Sequence, residues 1–143
     1  MAYEHPNRHL YMFPAKDFTG AAAVYAVRGP KGKTGRLIDY GVQNTSVAFV
    51  DGSSTHPQVQ VGNASTANAY GAVLTVLPGL NDGASVLTTA GVEEDETGFP
   101  VRTTYITLAE LPADTPIRIT TVQATGGSPA GTAQPFMIID WQW

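Results

Sequence analysis

Arg36-Leu37-Ile38-Asp39-Tyr40-Gly41-Val42-Gln43 alternates between larger apolar residues and small or polar ones. A period of two gives a pleated strand two distinct faces, and it gives a helix none. On this reading Ile38, Tyr40 and Val42 share the core face, while Leu37, Asp39 and Gln43 take the other. The preceding stretch, Gly29-Pro30-Lys31-Gly32-Lys33-Thr34-Gly35, reads as a hairpin tip. Its Gly and Pro residues supply turn dihedrals and its lysines stay solvated, which would put Val27 beside Arg36.

Working outward, runs of strand length recur between turn clusters: Ala21 to Val27, Arg36 to Gln43, Val47 to Val50, Gln58 to Val61, Ala72 to Leu77, Arg102 to Leu108, Ile117 to Gln123 and Phe136 to Trp141. No long segment keeps a helical period. One helical turn is expected near Leu108 to Ala113, cut short by Pro112. Composition agrees with strands. The chain has five Glu and three Lys, too few to clothe exposed helix faces, and Thr, Val and Ile abound instead. Fifteen Gly and ten Pro supply the reversals.

With 143 residues the chain is the size of one domain. The expected architecture is all-β: a two-sheet β-sandwich of Greek-key or jelly-roll type, residues 21–143, preceded by an extended N-terminal arm, residues 1–20. Long links run from Val50 to Gln58, Asn63 to Ala69, Pro78 to Ser85, Gly91 to Val101 and Ala124 to Gln134, and they favour sheet-crossing connections over a meander.

Charge and cysteine content exclude several function classes. No cysteine is present, so disulfides, thiol nucleophiles and thiolate zinc sites are ruled out. The net charge is −4 and the eight basic residues are scattered, which leaves no footprint for a nucleic-acid backbone. No apolar run approaches the ~20 residues that span a bilayer, and Met1 to Gly20 lacks the pattern of a secretion signal. Neither nucleic acid nor membrane is an expected partner.

Each candidate motif for chemistry falls short. Gly29-Pro30-Lys31-Gly32-Lys33-Thr34 ends like a phosphate-binding loop but has Val27 where that motif needs Gly, and a strand pattern follows instead of a helix. Asp51, Ser53, Ser54 and His56 are triad residue types crowded into one loop without a nucleophile elbow. His5 and His9 have helical metal spacing, yet Pro6 and Pro14 oppose a helix. The acidic run Glu93-Glu94-Asp95-Glu96 lacks the alternation of a calcium loop and reads as a solvated tip. No catalytic residue, metal or cofactor is therefore expected.

The ends carry the remaining signal. Tyr3, Leu10, Tyr11 and Phe13 lie on the arm, where they could fold back on the sandwich or anchor on a neighbouring chain. At the other end Met137, Ile139, Trp141 and Trp143 alternate onto one face, and an indole at the last position calls for something to hold it. Tyr3, Leu10, Tyr11, Phe13, Trp141 and Trp143 are the expected partner-binding residues.

Three segments resemble a known family. Gly32-Lys33-Thr34-Gly35-Arg36-Leu37-Ile38-Asp39-Tyr40-Gly41-Val42, then Pro57-Gln58-Val59-Gln60-Val61-Gly62-Asn63, and then Ser128-Pro129-Ala130-Gly131 leading into Ile138-Ile139-Asp140-Trp141, resemble the small cement or decoration proteins of tailed-phage capsids. The likeness lies in the style and order of segments and covers about half the chain. It implies a jelly-roll module that forms homodimers or homotrimers on the outer surface of the virion and clamps neighbouring major capsid protein subunits. The rival expectation from the residues is a carbohydrate- or receptor-binding module of a tail or spike, with Trp141 or Trp143 as a stacking platform.

Overall fold

The computed structural model describes residues 8–76, 106–108 and 110–142. Nine strands lie among them: β1 (Arg8–Met12), β2 (Lys16–Asp17), β3 (Val24–Val27), β4 (Gly35–Val50), β5 (Gln58–Gly62), β6 (Gly71–Thr75), β7 (Glu110–Leu111), β8 (Ile117–Val122) and β9 (Ala130–Trp141). They form two antiparallel sheets. One has the order β1-β9-β4-β7, with β2 also on β9, and the other has the order β3-β8-β5-β6. The expected all-β sandwich is present.

The long pair β4 and β9 is the spine, running from Gly35 opposite Trp141 to Val50 opposite Ala130. Alternation along β9 buries Ala133, Pro135, Met137, Ile139 and Trp141. From the facing sheet come Val59, Val61, Leu74, Ile117 and Ile119, and Phe18, Leu37, Tyr40, Val42 and Phe49 complete the core. Phe18 meets Phe49 edge to face at 5.2 Å between centroids, a geometry suited to the ring quadrupoles.

The core face of β4 differs from the one expected. Leu37, Tyr40 and Val42 are buried, Ile38 is half-buried and Asp39 is itself buried. The pairing steps from Leu37–Ile139 to Asp39–Ile138, so Ile38 is an extra residue in the ladder. A bulge of one residue inverts the in-out phase. It puts Leu37 on the same side as Tyr40, while the Asp39 carboxylate accepts the Tyr40 N–H at 2.8 Å. Further irregularities between Gln43 and Val47 and between Val47 and Val50 let the two runs read as separate strands form one β4, with Asn44 at φ 54°.

The expected hairpin between Val27 and Arg36 is not formed. Val27 pairs with Ile117 in one sheet and Arg36 with Asp140 in the other. The intervening loop crosses between sheets because it wraps the indole of Trp141. A Cβ on Gly35 would come within 2.7 Å of the Trp141 ring, and one on Gly29 would overlap it. Asp114, at φ 56°, anchors the crossing: its carboxylate accepts the Gly32 N–H at 2.9 Å and its carbonyl accepts from Arg28 at 2.8 Å.

Residues 8–17 do not project as an arm. They form β1 and β2 along the edge of β9, the folded-back alternative, because Tyr11 and Phe13 find partners there. Near Leu108 to Ala113 the expected helical turn is replaced by β7, which pairs with Gly35 and Arg36. Tyr3, Trp143, the run Glu93 to Glu96 and most of the strand expected at Arg102 to Leu108 lie outside the described residues.

Candidate functional site

β1 is the first described strand and, among the described residues, closes one side of its sheet. Arg8 to Met12 run antiparallel to Asp140 to Phe136, one to one, so even-numbered side chains leave the core and odd-numbered ones approach it. Leu10 is 53% exposed and Met12 39%. Arg8 reaches the Asp140 carboxylate at 3.6 Å. Across the sheet the register aligns Arg8 with Asp140, Asp140 with Arg36, and Arg36 with Glu110. Positive and negative residues thus alternate across all four strands.

The inward side of β1 is engaged. Tyr11 is half-buried and its hydroxyl accepts the Trp141 Nε1–H at 2.8 Å. Phe13, just past the strand, stacks on Tyr25 of β3 at 4.9 Å and 18°, joining the edges of the two sheets. Its N–H donates to the Pro135 carbonyl at 2.9 Å. Met12 also has local support: its sulfur accepts weak hydrogen bonds from Gln43 at 3.5 Å and Asn44 at 3.6 Å.

The six residues expected to grip a partner therefore divide. Leu10 is solvent-facing and available. Tyr11 and Phe13 spend their aromatic surface within the molecule. Trp141 is 1% exposed, a correction to its reading as a contact or a sugar-stacking platform: Gly29, Gly35 and Tyr11 enclose it. Met12 and the charge row are additions. The row depends on strand register, which no local spacing in the sequence encodes.

The loop after β4 carries the triad residue types. His56 Nδ1 meets both Asp51 carboxylate oxygens, at 2.7 and 2.9 Å, with both side chains well exposed. The backbone amides of Ser53 and Ser54 donate to Gly126 and Thr125, and Thr55 bonds across to Thr125. These contacts fasten the loop to the link between β8 and β9. No hydrogen bond joins a serine hydroxyl to the imidazole among the described residues, so the nucleophile-to-base contact of a triad is not assembled. At the phosphate-loop lookalike, the Gly32 amide is already occupied by a carboxylate, and β4 follows it where that motif has a helix.

Among the described residues no three His, Asp or Glu side chains gather into a metal-binding group, and no helix is long and apolar enough to cross a membrane. The chain matches no protein-family model, no curated protein and no solved structure.

Proposed function

We propose that this protein is a non-enzymatic structural component of a tailed-phage virion: a jelly-roll cement protein that binds the outside of the capsid as a homodimer or homotrimer and clamps neighbouring major capsid protein subunits. The observation that carries the reading is β1. A border strand normally protects itself with Lys, Pro or a bulge. β1 pairs without irregularity and turns Leu10 and Met12 to solvent.

Such an edge suits strand addition, in which main-chain hydrogen bonds give affinity and outward side chains give selectivity. Only 14% of the residues are charged, which lowers the cost of burying the surface. Several weak contacts made at once by an oligomer add through effective concentration. A protein that binds only the assembled shell stabilises it by mass action.

The test is co-sedimentation of the purified protein with expanded capsid shells of the phage that encodes it, followed by heating of the shells. Binding at a fixed copy number and a raised disruption temperature are expected. A folded protein that stays in the supernatant would overturn the assignment.

A further inference from the structure

A cavity of about 670 Å³ opens at one end of the sandwich, on the side opposite β1. It lies where the start of β4 and strand β7 of one sheet approach the Asn63–Tyr70 link of the other. Its size falls in the range of small-ligand sites, roughly 300–1,000 Å³. Leu108, Leu111 and Tyr70 form apolar wall, and Asn63, Glu110 and Gln142 bring polar groups. The mouth is built rather than incidental. Asn63 Oδ1 accepts the amides of Ser65 and Thr66 at 2.9 and 2.8 Å, fixing the side chain in place. Its amide nitrogen approaches the Tyr70 hydroxyl at 3.5 Å.

The chemistry of this lining narrows the ligand. Among the described lining residues are two carboxamides and a carboxylate, and the Glu110 carboxylate repels a phosphate or carboxylate ligand. Tyr70 is 4% exposed, so its ring face is not offered to a nucleobase. A carboxylate accepts from hydroxyl groups, while carboxamides both donate and accept. Vicinal hydroxyls on a ring with an apolar C–H face match that combination.

We propose that this cavity is a binding site for neutral saccharides, with Glu110 and Gln142 holding ring hydroxyls and the exposed Leu108 receiving the C–H face. The site is separate from β1 and does not depend on the capsid assignment. It gives the protein a second role, the binding of glycan, on the side of the sheet away from β1. An open site of this kind binds single sugars at millimolar dissociation constants, and gains strength when several copies act together.

The experiment is nuclear magnetic resonance titration of the full chain with maltose, cellobiose and lactose, using glucuronate and glucose 6-phosphate as anionic comparators. Glu110 and Gln142 are exposed, so E110Q and Q142A should leave the amide spectrum folded. Saturable shifts confined to Thr34, Gly35, Asn63, Tyr70 and Gln142 are expected with at least one neutral sugar, weakened about tenfold in E110Q or Q142A. The proposal is overturned by no saturable shift with any neutral sugar, by shifts centred elsewhere or unchanged in both variants, or by equal binding of the anionic sugars.

Discussion

The Trp141 indole N–H donates to the Tyr11 hydroxyl at 2.8 Å, so the largest side chain of the core has its one polar atom satisfied by the border strand. Removing that acceptor leaves a buried donor unpaired. Tyr11→Phe is expected to cost about 1–3 kcal/mol, read as a lower urea midpoint with an unchanged slope. A variant as stable as the parent would mean the indole finds another acceptor.

Gly35 presses on the other side of the same indole, where a Cβ would meet ring carbons at 2.7 Å and Ile139 at 3.1 Å. Gly35→Ala therefore forces Trp141 or the β4 backbone to shift, and overpacking of this kind costs about 1–3 kcal/mol. The check is a lowered melting temperature together with red-shifted Trp fluorescence.

Leu10 is expected to separate function from stability. It is 53% exposed, so Leu10→Lys should change stability by no more than about 0.5 kcal/mol. The added charge blunts the edge strand, and co-sedimentation with capsid shells should fall to background. Full retention of binding in Leu10→Lys would move the docking surface away from β1.

The charge row gives a salt-dependent signature. Arg36 lies in register with both Asp140 and Glu110, and like charges directly opposite on a sheet are destabilising. Arg36→Glu should lower stability by about 1 kcal/mol at low salt, with the loss shrinking as salt screens the surface. Thermal melts at two ionic strengths measure it.

Asp17 sets a dependence on acid. Hydrogen bonds from the Thr19 hydroxyl and then the Thr19 amide hold its carboxyl below the usual aspartate range. The folded state thus favours the ionised form. The resulting stabilisation is present above the unfolded-state pKa and is lost as pH falls through the lowered folded value. Asp17→Asn should lower stability at neutral pH, flatten that acidic limb of a stability profile and converge with the parent in acid. Titration of the Asp17 carboxyl carbon should show a midpoint below that of a free aspartate.

How far the sequence could be read depends on the range of the interaction concerned. The period-two pattern put Met137, Ile139 and Trp141 on one face, as they are in β9, because alternation is a property of one strand alone. In β4 the same logic placed Tyr40 and Val42 correctly but missed Leu37, because the bulge at Ile38 is imposed by the partner strand β9. The Gly29 to Gly35 segment has the composition of a hairpin, but its glycines serve an indole more than a hundred positions later. Leu10, expected at a partner-binding surface, is exposed. Trp141 was not legible as enclosed, since burial of a strand end is decided by what crosses it. The cavity beside Asn63 and Glu110 joins segments from both sheets, a proximity that residue spacing does not reveal.

One more consequence concerns synthesis. The Arg8–Met12 strand finds its hydrogen-bond partners in Phe136–Asp140, so a ribosome must release nearly everything in between before that edge can be zipped. Until then Leu10, Tyr11 and Phe13 travel uncovered on the nascent chain. The sheet that holds both segments is therefore finished last, and crowded polysomes are where stray pairing between chains would begin.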